Sequence, residues 1–457
     1  MSSPIADRTP RVSRWPGAVL GVCLALACAA TPVVAQPPSF ATAPDAAIIA
    51  EQWVTTRTVR ITVSTNAFTG PVAVEVTLPV EYRSADSRRW PVTYYLAGAN
   101  HDQTAFRAAY NGEAVTAAYP SIVVAPRGDV GFWSDWFNDG ADGPPKYETF
   151  VIDQLIPLID KNFRTLPERG QRAVMGESMG GYGALMLSAR HPDEFVAAAS
   201  LSGVLDTNSP ATWEPISQVP LVRGARPDAV YGPRATQEIR WRGHNPVDLA
   251  GNLGATDLQL FTGNGVFDPA HGETPAEAAL GCPVEAAIVQ QPSLSMHREL
   301  LARGIPHRWV ELPWGCHGPA MFEHQMREAV QRLTEVFADP PAPPATFGFR
   351  SIEPSFEVWG WSVRADPNRA VEFLDLREVG VDELTITGSG ITTLTTPPGF
   401  RGAGQVTGTI DGNPVTFVPD ASGRITLTID LGPPNQHQQF RAGALSNVTT
   451  SVLRLSR

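Results

Sequence analysis

The chain predicts an α/β domain, built on a mostly parallel eight-stranded sheet, followed by a small all-β sandwich. Three observations predict it. Strand-like apolar runs alternate with helical patterns as far as about residue 338. One run, Ala173-Val174-Met175, breaks at Gly176-Glu177-Ser178-Met179-Gly180 and resumes as a small-residue helix. A proline run from Asp339 to Pro344 then gives way to period-two patterning.

Taken in order, the first residues read as a leader. Arg8, Arg11 and Arg14 precede an apolar stretch from Ala18 to Ala30, and Val33-Val34-Ala35 forms a small-residue cleavage site. Residues 1–35 are therefore expected to be a signal peptide, with the mature chain starting near Gln36. The stretch is too short to span a bilayer, and no later segment reaches about 18 apolar residues. This predicts an exported protein, secreted or at the cell envelope, without a transmembrane segment. A formal charge of −11 makes nucleic acid an unexpected partner. Cys23 and Cys28 leave with the leader, so Cys282 and Cys316 remain as an even pair in an oxidising compartment, and a disulfide between them is expected.

Eight stretches read as strands: 58–64, 72–78, 92–96, 121–125, 172–176, 197–201, 257–262 and 307–312. Helical patterns separate them from the third onward, which implies parallel strands with helices on both faces and a site at the strands' carboxyl ends. A helix over 320–337 closes this domain, assigned to 36–338. Residues 339–346 form a Pro-rich linker, and 347–457 the sandwich, with alternating runs such as Leu384-Thr385-Ile386-Thr387 and a turn signal at Asp411-Gly412.

The break at Gly176 to Gly180 is the outline of a nucleophile elbow. A strand-to-helix turn this sharp would lift the Ser178 hydroxyl clear of the sheet, and flanking side chains would collide, hence the two glycines. The following helix leaves its first N–H groups unpaired, so the Met179 N–H is a candidate oxyanion donor. Serine is a weak nucleophile, so a histidine must take its proton and a carboxylate must orient that histidine. In hydrolases of this topology the order is Ser, acid, His. His317 follows the last strand in a Pro/Gly-rich loop, whereas His297 and His324 fall in helical patterns and His437 in the sandwich. For the acid, Asp268, Glu273, Glu277 and Glu285 all follow the seventh strand. A Cys282–Cys316 bridge would bring Glu285 near His317, which favours Glu285, while topology alone ranks Asp268 equally.

Several segments, spread over roughly residues 55 to 338, resemble the antigen 85 and esterase D group of secreted α/β hydrolases. They are Phe132-Trp133-Ser134-Asp135-Trp136, Tyr147-Glu148-Thr149-Phe150, the elbow, Ser200-Leu201-Ser202-Gly203, Tyr231-Gly232-Pro233 and Gly263-Asn264-Gly265. The resemblance implies Glu285 as the acid and Ala99 as a second backbone oxyanion donor. It places the loop of Trp133 and Trp136 near the cleft as candidate substrate contacts. Ala97 and Asn100 stand where mycolyl-transferring members carry aspartate and arginine, and Cys316-His317-Gly318-Pro319 replaces their His-Ser-Trp. Those positions line the family's sugar-acceptor side, so the resemblance implies plain ester hydrolysis rather than trehalose mycolylation.

The expected function is thus a serine carboxylesterase acting on a small-molecule or lipid ester through an acyl-enzyme, with no metal or cofactor. Two alternatives compete with it. In the first, a sugar or glycolipid hydroxyl replaces water as acceptor. In the second, the chain is a non-catalytic envelope or carbohydrate-binding protein, its sandwich contacting a glycan.

Overall fold

A computed structural model describes residues 40–85, 87–138 and 143–456; the leader segment lies outside the described residues. Alternation within each strand sends side chains to opposite faces, and two helix layers cover them. Val174 of the strand Arg172–Glu177 joins the core beneath the helix Met179–Arg190, alongside Tyr182, Leu185 and Met186. Its neighbours Ala173 and Met175 point the other way, into a second core with Met326, Ala329 and Leu333 of the helix Pro319–Ala338. A strand buried on both faces has no polar face to show, which is why this stretch reads as a continuous apolar run.

Among the described residues the sheet has nine strands rather than eight: β1 Ala46–Trp53, β2 Thr58–Thr65, β3 Val72–Thr77, β4 Val92–Leu96, β5 Ile122–Pro126, β6 Arg172–Glu177, β7 Ala197–Leu201, β8 Asp257–Thr262 and β9 Arg308–Glu311. Their spatial order is β1-β2-β3-β5-β4-β6-β7-β8-β9, antiparallel from β1 to the β3–β5 pair and parallel from there on. The extra strand, β1, sits at the edge with most of its length exposed and carries the sequence AAIIAEQW, so it lacks the alternation that marks its neighbours. The elbow closes the central strand β6, flanked by β4 and β7.

Beyond the prolines, ten short strands form two antiparallel sheets. Six of them pair as one sheet and four as the other, around a core that includes Val358, Trp361, Leu376, Leu394 and Leu427. The proline run does not hold this module apart, and Phe40–Arg457 is one compact unit. Asn252 receives the backbone N–H of Arg350 at 2.9 Å and donates to its carbonyl at 3.0 Å. Ile352 belongs to the hydrolase core and fills the space beside Gly243. Arg190, the last residue of the helix behind the elbow, bonds Glu148 at 2.8 Å and Glu353 of the module at 2.7 Å.

Candidate functional site

Ser178 sits at the end of β6 with φ 56° and ψ −120°, a backbone conformation few non-glycine residues adopt, and one that turns its hydroxyl out of the sheet. The turn works only with bare backbone at its flanks. A Cβ at Gly176 would lie 2.4 Å from the Leu96 carbonyl oxygen, and one at Gly180 only 1.8 Å from it. Met179 opens the helix, so its N–H lies outside the intrahelical ladder. Gly98 packs beside Ser178, since a Cβ there would lie 3.3 Å from Ser178 Cβ. This puts the Gly98–Ala99 backbone alongside Ser178.

His317 Nε2 is 2.8 Å from Ser178 Oγ, and His317 Nδ1 is 2.7 Å from Glu285 Oε2. Because a carboxylate only accepts, Nδ1 carries the proton, and Nε2 is left to accept from the serine hydroxyl. Glu285 is fully buried, where π-helical turns (Glu285–Val289) follow the helix Pro275–Val284. Its other oxygen, Oε1, takes three donors: Gly263 N–H at 2.7 Å, Thr262 Oγ1 at 2.8 Å and Ser202 Oγ at 2.9 Å. These come from the carboxyl ends of β7 and β8. Burial alone would push the Glu285 carboxyl up, but the bonds from His317, Gly263 and Thr262 outweigh it and hold the group below its usual range. Phe322 meets the His317 ring edge-on at 4.9 Å between centroids.

The other candidate acids have other work. Asp268 caps Ala270 and pairs with His271; Glu277 completes a capping box with Thr274. Glu273 accepts from the Cys316 N–H at 2.5 Å and so steadies the loop that carries His317. The Cys282–Cys316 disulfide ties that same loop to the helix leading into Glu285. His297 pairs with His307 at 2.8 Å and His324 with Glu328 at 3.3 Å, away from the serine's partners.

The two tryptophans expected near the cleft are both buried. Trp133 is 0% exposed; it fills the space beside Gly128 and Gly183, and its indole N–H donates to the Ala97 carbonyl at 3.2 Å. It therefore backs the loop leading to Ala99. Trp136 donates to the Gly131 carbonyl and lines a polar cavity of about 690 Å³, shared with Glu353 and Phe356 of the module, that contains none of Ser178, Glu285 and His317.

Sequence reasoning passed over Ser202, Thr262 and Glu177. The first two are short hydroxyl side chains at strand ends, a signal that a search for carboxylate partners could have used. Glu177 is a fully buried carboxylate next to Ser178, and its presence inside an apolar strand was the available signal.

Fold and convergent side chains place the chain in the α/β-hydrolase class. Residues 65–333 match the family described as "Putative esterase", more than half of the chain, and the chain belongs to that family. The esterase Rv1288 of Mycobacterium tuberculosis is 33% identical over 266 residues, covering 57% of this chain and 56% of that protein. The diacylglycerol acyltransferase/mycolyltransferase Ag85B of Mycobacterium leprae is 34% identical over 165 residues, covering 34% of this chain and 49% of its own length. The chain thus spans about half the length of the curated relatives it matches. Among solved structures, Mycobacterium tuberculosis MPT51 aligns with TM-score 0.48 at 23% identity, covering 59% of this chain and 94% of that one.

Proposed function

We propose that the protein is an exported serine carboxylesterase in which Ser178, His317 and Glu285 form the catalytic set. The observation that carries this reading is the unbroken line from Ser178 Oγ through the His317 ring to Glu285, with links of 2.8 and 2.7 Å. Ser178 Oγ attacks the ester carbonyl carbon as His317 Nε2 takes its proton, and the N–H groups of Met179 and Ala99 receive the developing oxyanion. Collapse of this intermediate breaks the bond to the alcohol, which leaves with the proton from His317, and an acyl-enzyme remains. Water, deprotonated by the same nitrogen, attacks the acyl carbon and releases the acid, returning the proton to Ser178. Glu285 takes no proton in this cycle. It holds the tautomer and steadies the imidazolium.

Export is inferred from the leader pattern and agrees with the disulfide; among the described residues no helix is long and apolar enough to cross a membrane. The test is a p-nitrophenyl ester panel of graded chain length on the mature protein and on Ser178→Ala. The reading expects turnover in the first, none above background in the second, and phosphonate labelling of Ser178 alone. Undiminished hydrolysis by Ser178→Ala would overturn it. Adding a sugar acceptor and identifying products separates hydrolysis from acyl transfer.

A further inference from the structure

Glu177, beside the nucleophile, has a full set of partners that the reaction above does not use. Its Oε1 accepts the Gly98 N–H at 2.6 Å and lies 3.2 Å from His101 Nδ1, while its Oε2 accepts the Tyr95 hydroxyl at 2.7 Å. Gly98 directly precedes the proposed donor Ala99, and a Cβ on it would meet both the Glu177 carboxylate at 3.0 Å and Ser178 Cβ at 3.3 Å. The carboxylate therefore anchors the Ala97–Gly98 peptide, directly before the Gly98–Ala99 peptide whose N–H must point at the oxyanion. Its position also poses a difficulty. An unneutralised negative charge one residue from the nucleophile opposes the negative charge that develops on the substrate, and burial leaves little water to screen it.

The nearby charges show what offsets it. His101 faces Glu177, is close to half exposed, and meets the Tyr110 hydroxyl at 3.0 Å from the same nitrogen. Asp102 adjoins it on its own loop, with Arg127 and Arg60 acting on Asp102. Across the loop, Asp129 pairs with His101 through the backbone, and its carboxylate is taken up by Arg127 and Arg223. Of these groups, His101 is the one in contact with Glu177, and it is a cation when protonated.

Resting on the reading of Ser178 as nucleophile, we propose that Glu177 is a positioning residue for the oxyanion loop, and that protonated His101 neutralises it so that the loop can receive an anion. The bond to Glu177 raises the His101 imidazole above its ordinary value against the opposing effect of burial, with the charges of Glu177 and Asp102 adding to the rise. Loss of that proton at alkaline pH leaves the carboxylate unopposed next to the reacting oxygen.

Three substitutions in the mature protein test this, with kcat and KM for p-nitrophenyl butyrate measured from acid to alkaline pH. Glu177→Gln keeps an acceptor for the Gly98 N–H and removes the charge; Glu177→Leu removes both; His101→Gln removes the titrating partner. Wild-type kcat is expected to fall on the alkaline side, and that limb to be absent from Glu177→Gln and His101→Gln. Glu177→Leu is expected to lose about tenfold to a hundredfold in kcat with little change in KM, approaching the effect of a displaced oxyanion donor. Imidazole NMR reads the ion pair without turnover: His101 should titrate higher in wild type than in Glu177→Gln. An alkaline limb unchanged in both neutral variants, or a folded Glu177→Leu within about twofold of wild-type kcat, overturns the proposal and leaves the Ser178 chemistry standing. If Glu177→Leu does not fold, the two pH profiles still decide. A wild-type protein that neither turns over the ester nor takes a phosphonate overturns the underlying reading, and this proposal with it.

Discussion

Glu285→Gln isolates the orienting role of the acid from its bulk. The amide has nearly the shape of the carboxylate, so packing around a fully buried site is kept. Its orientation is set by the three donors on Oε1, namely Gly263 N–H, Thr262 Oγ1 and Ser202 Oγ. Three donors demand the carbonyl oxygen on that side and force the NH₂ group toward His317. Facing a donor, Nδ1 must give up its proton and accept, which moves the ring's proton to Nε2, the nitrogen that has to take it from Ser178. The wrong tautomer in a serine triad costs about 10⁴ in kcat, ~5.5 kcal/mol of transition-state stabilisation. The assay is steady-state hydrolysis of a p-nitrophenyl ester, with a thermal melt to establish that the variant is folded. A folded Glu285→Gln retaining more than about a tenth of wild-type kcat would refute the tautomer argument.

Other perturbations have equally definite outcomes. Ser178→Ala should lower kcat by about 10⁶ and abolish phosphonate labelling, read by mass spectrometry. Replacing Cys282 and Cys316 together with serine should lower unfolding stability by about 3 to 4 kcal/mol in a urea titration, for a ring closed across a separation of 34 residues. Gly180→Ala, whose new Cβ would lie 1.8 Å from the Leu96 carbonyl oxygen, should cost more than about 4 kcal/mol and give little soluble protein; a wild-type melting temperature would contradict this. Burial and the Glu148 charge raise the Asp135 carboxyl to about 6, so the folded state favours its protonated form. The stability this group contributes is complete below its unfolded value near 3.9 and is lost as pH rises through about 6. Asp135→Asn should therefore match wild type at about pH 4 and gain up to ~2 kcal/mol at about pH 8, measured by paired melts.

The parts of the molecule legible in the sequence are those with a local physical signature. The elbow was visible because two glycines flank a serine between an apolar strand and a small-residue helix, and the structure gives steric reasons for both glycines. The parallel strands were visible because doubly buried strands leave continuous apolar runs. β1 was not, since an edge strand mostly in solvent needs no alternation. From the residues alone the choice among four acids was open because it depends on which side chain the chain's path brings to His317, a matter of tertiary geometry at which the Cys282–Cys316 pair, and separately the family resemblance, hinted. The full burial of Trp133 was not legible, because an aromatic residue near a site looks the same in sequence whether it faces the cleft or stands behind the backbone.

The seam at Arg190 bears on how this gene can be divided. The prolines after residue 339 look like a natural place to stop a shorter recombinant version. Ending there would strip a guanidinium deep in the protein of one of its two counterions, empty the socket filled by Ile352, and take from Asn252 its two bonds to Arg350, all behind the helix whose opposite end cradles Ser178. Cloning boundaries and chimaeras with relatives should keep both halves together, because the far end of the helix that Ser178 opens is finished by residues from the second.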